Sequence, residues 1–475
     1  MLEDMLDYAQ HLRERPVWQP IPPAIRDHFK KPLPENGTDL AILHQQFMHD
    51  ILPYTIGNAH PGFMGWVQGG GTPVGMVADM LAAGLNANVG GRDQIPIAVE
   101  RQILHWMREL FHFPETANGL FVTGTSIANF IAAVIARTRF LGIDVRHNGI
   151  AKDGQQLVAY ASAGAHGCVS KAMDLAGFGT SALRLIPMND DFQIDLTKLR
   201  ETLLADKKAG FRPFLIVGSA GTVDVGAIDD LDALATISET EQCWFHIDGA
   251  YGALGMLSPE IAPRLVGIER ATSIAFDFHK WGQVPYDAGY ILVRDGADQL
   301  DAFSSPANYL KRETRGMAAG SPWPCDLGPD LSRGFRALKT WFTMATFGTK
   351  KMGKIIQHTC DLAQYLANRI LREPQLELLA PVNLNIVCFR YIGPPHIKNK
   401  PVENVNELNN DIVIRLQESG LVAPSSTLIR EQFAIRAAIV NHRTTEVDID
   451  NLIQSTLHFG GLHFGGELNA RSNTA

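Results

Sequence analysis

From Thr72 to about Gly348, short apolar runs alternate with longer stretches whose apolar residues recur every three or four positions. Val99, Ile103, Trp106, Met107 and Leu110 fall on one face of a helix. Leu157–Ala161, Leu183–Ile186, Phe214–Val217, Trp244–Ile247, Thr272–Phe276 and Tyr290–Val293 read as strands. Helices and short apolar strands alternating at this spacing predict an α/β fold with a mostly parallel sheet flanked by helices on both faces. Beyond Gly348 a helix over Met352–Arg372 is closed by Pro374. The run Ile386–Tyr391, a helix over Val405–Ser419 and the run Phe433–Ala438 then predict a small α+β C-terminal domain. Residues 1–50 read as amphipathic helices broken by Pro16, Pro20, Pro22, Pro23, Pro32 and Pro34, with too few apolar residues for a core of their own. The expected organisation is an N-terminal helical arm (1–71), a large domain (72–349), a small domain (350–475), and a disordered tail beyond about Gly466.

Composition narrows the function classes. A chain of 475 residues, 45% hydrophobic and 19% charged, can bury a large core, as a soluble globular enzyme does. A net charge of −8 and a pI near 6.1 argue against nucleic acid or an anionic membrane as partner. Cys168, Cys243, Cys325, Cys360 and Cys388 are scattered, odd in number and without a Cys-x-x-Cys, the pattern of reduced thiols. The first residues are acidic where a signal peptide would be basic, and no apolar run reaches membrane-spanning length. A cytoplasmic location is expected, with no metal and no membrane partner.

The strand ends carry the chemistry. Trp244–Ile247 stops at Asp248 and turns on Gly249-Ala250-Tyr251; Thr272–Phe276 ends in Asp277, His279 and Lys280. An acid and a lysine at the ends of neighbouring strands suit pyridoxal phosphate. The lysine holds the cofactor aldehyde as a Schiff base, and the carboxylate pairs with the protonated pyridine nitrogen. Alone, each half is weak, because such an Asp is commonly a turn former and such a Lys a surface residue. Gly124-Thr125-Ser126 follows Leu120-Phe121-Val122 and opens the apolar helix Ile127–Ala136. A helix N-terminus with two hydroxyls makes a phosphate cup, or, standing alone, an ordinary cap. Gly218-Ser219-Ala220-Gly221-Thr222 follows the run Phe214–Val217, and its small residues let the backbone approach a flat ligand.

With these motifs in this order, the chain from about His60 to the Asn441-His442-Arg443-Thr444 segment resembles the pyridoxal-phosphate-dependent amino-acid decarboxylases of group II, the aromatic-amino-acid and glutamate decarboxylase family of fold type I. The resemblance implies a seven-stranded-type sheet and a homodimer with shared active sites. In it the arm packs on the second subunit; the alternative is an arm folded back on its own chain. It also implies Lys280, His166 and Asp248 as catalytic residues. Thr125 and Ser126 would hold the phosphate, His166 would stack on the ring, and Thr222 and Ala250 would lie beside it. His279 would contact the phosphate. Several members carry Asn at the position of Asp277. An ionised Asp cannot donate there and would repel a dianion, so it would orient His279 or a backbone N–H instead. The implied reaction is decarboxylation of an L-amino acid to an amine and carbon dioxide, a lyase step in amino-acid (carboxylic acid) metabolism.

Two stretches depart from the family. Its mobile loop carries, in many members, a tyrosine that protonates the decarboxylated carbon. The matching stretch starts at Tyr309-Leu310-Lys311, and its middle, Gly316–Cys325, reads as a lid with neither Tyr nor His. Trp323 stands near the tyrosine's place, and an indole N–H is too weak an acid. The proton would come from His166, Cys325 or water; otherwise the alternatives are oxidative deamination to an aldehyde or ring-forming carbon–carbon chemistry. The family's substrate wall maps to Trp66 and Gln68, with Asn88 and Arg92 on a strip (Asn86–Asp93) that reaches over from the partner subunit, and Trp323 on the loop. The polar strip disfavours a bare phenyl ring, unless its side chains make structural hydrogen bonds at the dimer interface. Within one subunit the strip is expected to have no role.

Overall fold

A computed structural model of the chain describes residues 1–150, 156–305, 311–394 and 402–462. The loop start at Tyr309 and the tail beyond Gly466 lie outside the described residues. Two compact units are present: Gly71–His358, and Met1–Gly70 together with the residues from Thr359 onward. The N-terminal stretch, expected as a separate arm, thus groups with C-terminal residues. Twelve strands run through the described residues: β1 (Phe63–Met64), β2 (Asn118–Val122), β3 (Leu157–Ser162), β4 (Leu183–Ile186), β5 (Arg212–Ser219), β6 (Trp244–Asp248), β7 (Ser273–Asp277), β8 (Gly289–Val293), β9 (Leu376–Leu378), β10 (Ile386–Tyr391), β11 (Ala423–Ile429) and β12 (Gln432–Ala438).

In the unit Gly71–His358 seven strands form one sheet in the order β2-β8-β7-β6-β5-β3-β4. The pairs β4·β3, β3·β5, β5·β6 and β6·β7 are parallel, and only β8 runs against its neighbours β7 and β2. Every residue of β3, β6, β7 and β8 is buried, so these strands are mainly apolar, and the polar residues they carry, His246, Asp248, Ser273 and Asp277 among them, are buried too. The helix Thr125–Leu141 lies against the sheet. Its Ala128, Ile131, Ala132 and Ile135 join Leu120, Val122, Ala159, Leu215 and Val217 in one core cluster. It is apolar nearly all round because it is buried nearly all round. The helical stretch expected over Met352–Arg372 belongs to a longer one, Arg336–Arg372, broken at Gly348 (φ 67°, ψ 161°), a backbone conformation that favours glycine.

The other unit carries a sheet in the order β1-β11-β12-β10-β9. Its core gathers Leu362, Leu366, Phe389, Ile412, Leu416, Ile435 and Ile453. β1 pairs in parallel with β11. Arg13 makes a bidentate pair with Asp448 (2.8 and 3.0 Å), and the Val17 N–H donates to Gly420 O (2.8 Å), so the beginning of the chain is tied to its own C-terminal part. Farther along, the helix Leu40–Gln46 buries no residue and exposes Leu40, Ile42 and Leu43. β11 was not expected from the pattern. It joins β12 through a two-residue turn, Arg430-Glu431, with both φ positive (49° and 68°). Such turns usually announce themselves by Asn-Gly or Asp-Gly, and this one does not.

A buried ion pair ties the strip and β2 together. Arg333 (side chain 1% exposed) meets both oxygens of Glu100 (8%) at 2.5 and 3.1 Å, and also donates to the carbonyls of Val89 and Phe121. Arg333→Met would leave the Glu100 charge buried and unpaired. The expected loss is about 3–5 kcal/mol of unfolding free energy, read as a fall in the urea midpoint of the apoprotein. An unchanged midpoint would show that the pair adds nothing.

Candidate active site

Because β5, β6 and β7 run the same way, their carboxyl ends open on one side of the sheet, where ligands of such sheets bind. Asp248 is the last residue of β6 and Asp277 the last of β7, with Lys280 three residues on in the following turn. Asp248 is 6% exposed. Its Oδ1 accepts the Ala250 N–H (3.1 Å), its Oδ2 accepts the Asn129 amide (3.0 Å), and the Cys168 thiol stands 3.7 Å from Oδ2. Burial, and next the Asp248 charge, push the Cys168 thiol up to about 12, while the Lys280 ammonium pulls the other way. Lys280, Cys168 and Asp248 are therefore electrostatic neighbours.

A second cluster forms around Asp277. Its Oδ2 pairs with Lys280 Nζ (2.9 Å), and its Oδ1 accepts the N–H of Thr125, the first residue of the helix Thr125–Leu141 (2.8 Å). His279 Nδ1 accepts the Ala288 N–H (3.0 Å), so its neutral form carries the proton on Nε2, 3.6 Å from Asp277 Oδ2. Burial, more than any other effect, lowers the His279 pKa. Asp277 thus touches both groups that the sequence left open for it, a backbone N–H and His279.

The remaining expected residues divide. Thr222 is buried, its hydroxyl accepting the Ala227 N–H (3.0 Å), and Ala250 is half-buried. Gly221 (φ 95°) could carry no Cβ without meeting the Tyr251 ring at 2.9 Å. His166 and Ser126 are exposed. His166 Nδ1 accepts the Cys168 N–H (3.1 Å), which leaves Nε2 to a ligand or solvent. Trp66 and Gln68 belong to the other unit; the Trp66 N–H donates to Ser425 (3.2 Å) and its side chain is exposed, while Gln68 is half-buried.

The strip and the lid need correction. Asn88 Oδ1 accepts the amides of Gly90 (2.9 Å) and Arg333 (3.0 Å). Asn86 caps the helix Pro73–Leu85 in a left-handed conformation (φ 48°). The strip therefore has structural roles within its own subunit. Trp323 is 1% exposed, donates its indole N–H to Ala319 O (2.8 Å), and carries the guanidinium groups of Arg92 (4.6 Å) and Arg312 (3.6 Å) against its ring. It packs the loop and is not open to a substrate in this conformation. The loop is strapped down by hydrogen bonds from Asp93 to Met317, Cys325 to Gly90, and Arg101 to Gly320.

Pyridoxal phosphate fits these residues on one observation in particular. The Thr125 hydroxyl is buried, without a hydrogen-bond partner, at the N-terminus of a 17-residue helix. A phosphate there would satisfy it. Lys280 offers an amine and Asp248 a buried carboxylate. The sequence reading missed Asn129 and His246. Both were within reach of simple periodicity, since Asn129 follows Thr125 by one helical turn and His246 precedes Asp248 on the same strand face. Among the described residues, no group of His, Cys, Asp and Glu could hold a metal, and no helix is long and apolar enough to cross a membrane.

Comparison with known proteins agrees with this chemistry. Residues 22–392 match the family described as the pyridoxal-dependent decarboxylase conserved domain. The chain belongs to this family. This pyridoxal-dependent decarboxylase is 32% identical to an aromatic-L-amino-acid decarboxylase of Bacillus atrophaeus, over 93% of this chain and 90% of that protein. It is 26% identical to tryptophan decarboxylase 2 of Oryza sativa subsp. japonica, over 95% and 91%. The solved structure of Oryza sativa TDC with PLP and tryptamine superposes with a TM-score of 0.88 at 23% identity, over 97% of this chain and 96% of that one. The fold is thus that of the fold type I decarboxylases, and the chain is a pyridoxal-phosphate-dependent carboxy-lyase acting on an amino acid.

Proposed function

We propose that this decarboxylase converts an aromatic L-amino acid to its amine, as a cytoplasmic homodimer. The observation that carries the mechanism is the placement of Asp248 at the carboxyl end of β6 and of Lys280 just past that of the adjacent β7, near a helix N-terminus with an unsatisfied hydroxyl. Pyridoxal phosphate, when bound, supplies the electron sink that lets a carboxylate depart as carbon dioxide. Lys280 holds the cofactor covalently, and Asp277 keeps its amine in place. Asp248 accepts the hydrogen of the ring nitrogen. With the cofactor bound, His166, Ala250 and Thr222 would line the place of its ring. The Thr125 hydroxyl and Ser126 at the helix N-terminus would hold the phosphate, with the His279 Nε2–H as a further donor.

The aromatic substrate class is supported by the Bacillus atrophaeus relative, and the former objection from a polar strip weakens because Asn88 and Arg92 are engaged elsewhere. Five scattered cysteines without a Cys-x-x-Cys, the pattern of reduced thiols, support the cytoplasm. The exposed apolar face of Leu40, Ile42 and Leu43 supports a partner subunit. Sedimentation equilibrium should give a dimer, and an active monomer would remove this part of the reading.

Borohydride reduction of the holoenzyme followed by peptide mapping should label Lys280. A label on any other lysine would sink the assignment.

A second reading has one observation behind it. The described loop offers no phenol, and Trp323 is enclosed, so the decarboxylated carbon waits for a proton from His166, Cys325 or water. Dioxygen would take two electrons from that carbon and leave as hydrogen peroxide, and water would release the carbon as aldehyde and the nitrogen as ammonia. Turnover of a panel of aromatic amino acids under air and under nitrogen separates the two. Amine in equal yield under both gases is the expected outcome; aldehyde and peroxide under air alone would establish the second reading.

A further inference from the structure

Behind Asp248 runs a line of buried polar side chains that the decarboxylation chemistry does not use directly. Trp244, His246 and Asp248 sit at alternate positions of β6 and so share one face, and Ser273 stands opposite His246 in register on β7. Trp244 Nε1 lies 2.8 Å from Ser273 Oγ, Ser273 Oγ lies 2.8 Å from His246 Nδ1, His246 Nε2 lies 2.7 Å from Asn129 Oδ1, and Asn129 Nδ2 lies 3.0 Å from Asp248 Oδ2. All five residues are at most 6% exposed.

The direction of this line follows from chemistry. An indole N–H only donates, so Ser273 Oγ accepts from Trp244. An ionised carboxylate only accepts, so Asn129 turns its amide to Asp248 and its carbonyl to His246, whose Nε2 must then carry a proton. Burial, chiefly, pushes the His246 pKa down to about 4, so the ring is neutral at ordinary pH. Its Nδ1 is then bare and accepts the Ser273 hydroxyl hydrogen. Every hydrogen points toward Asp248. Reversing the line, so that the Asn129 carbonyl accepted from a protonated Asp248, would aim two donors at Ser273 Oγ and displace its own buried hydrogen. We propose that Asn129 is a positioning residue which, as the last link of the one-way chain Trp244–Ser273–His246–Asn129, holds the Asp248 carboxylate ionised and aimed at a protonated ring nitrogen. This rests on the assignment of Asp248 as the ring-nitrogen partner. The second Asn129 amide hydrogen goes to Cys168 Sγ (3.1 Å), which fixes the amide plane.

The test uses the full-length apoprotein and two ligands, pyridoxal phosphate and its analogue with CH in place of the ring nitrogen. The ratio of their dissociation constants reports the Asp248 charge and is insensitive to general loosening of the site. Wild type should prefer the natural cofactor, and Asn129→Leu should lose about tenfold of that preference, as removal of one charge-assisted hydrogen bond implies. Trp244→Phe should lose less. Asp248→Ala is the control. If it keeps the preference, the ring-nitrogen assignment itself fails. If it loses the preference while Asn129→Leu keeps it, the assignment stands and the proposal is overturned. Should Asn129→Leu not fold, nitrogen-15 NMR of histidine-labelled wild type decides. The Nε2–H tautomer at His246 is expected, and an Nδ1–H tautomer overturns the proposal.

Discussion

A carboxylate buried at the end of a strand must be met by donors or give up its charge, and the arrangement around Asp248 follows from that requirement. The strand supplies one donor through the turn at Ala250, and the helix that covers the sheet supplies another through Asn129. The parallel order of β5, β6 and β7 makes this economical in space, since three strand ends and one helix N-terminus open on the same side. The same geometry brings Thr125 to Asp277, so a single helix contributes one turn to each cluster.

The two aspartates illustrate how environment separates like residues. Asp248 is surrounded by neutral donors, which leaves its charge available to a cationic partner. Asp277 already has one in Lys280, and its other oxygen takes a helix N–H. The first can serve a ligand; the second orders the protein's own groups. Neither role can be read from the residue type alone.

Much of the large sheet was legible because its strands are buried on both faces and end in chemistry that the eye can find, as at Asp248 and Lys280. The helix at Thr125 was legible for the same reason, an apolar run behind a polar cap. Asn129 and His246 were hidden because a polar residue inside an apolar element looks like an exception until its partner is known. Trp323 misled through its position in a Gly- and Pro-rich loop, which suggested exposure, whereas it is buried with two arginines against its ring. β11 was hidden because its turn, Arg430-Glu431, lacks the residues that usually mark a hairpin.

The knot formed by Asn88, Glu100 and Arg333 has a consequence for anyone altering this enzyme. Asn88 holds two backbone amides, one of them belonging to Arg333, and Arg333 in turn holds β2 through Phe121. Arg92, a few residues on, is stacked against Trp323. Exchanges at 88 or 92 intended to change substrate choice will therefore act through the loop and the edge of the sheet as well. Their effects will depend on what stands at 323 and 333, so that the tract evolves as a linked set rather than as independent positions.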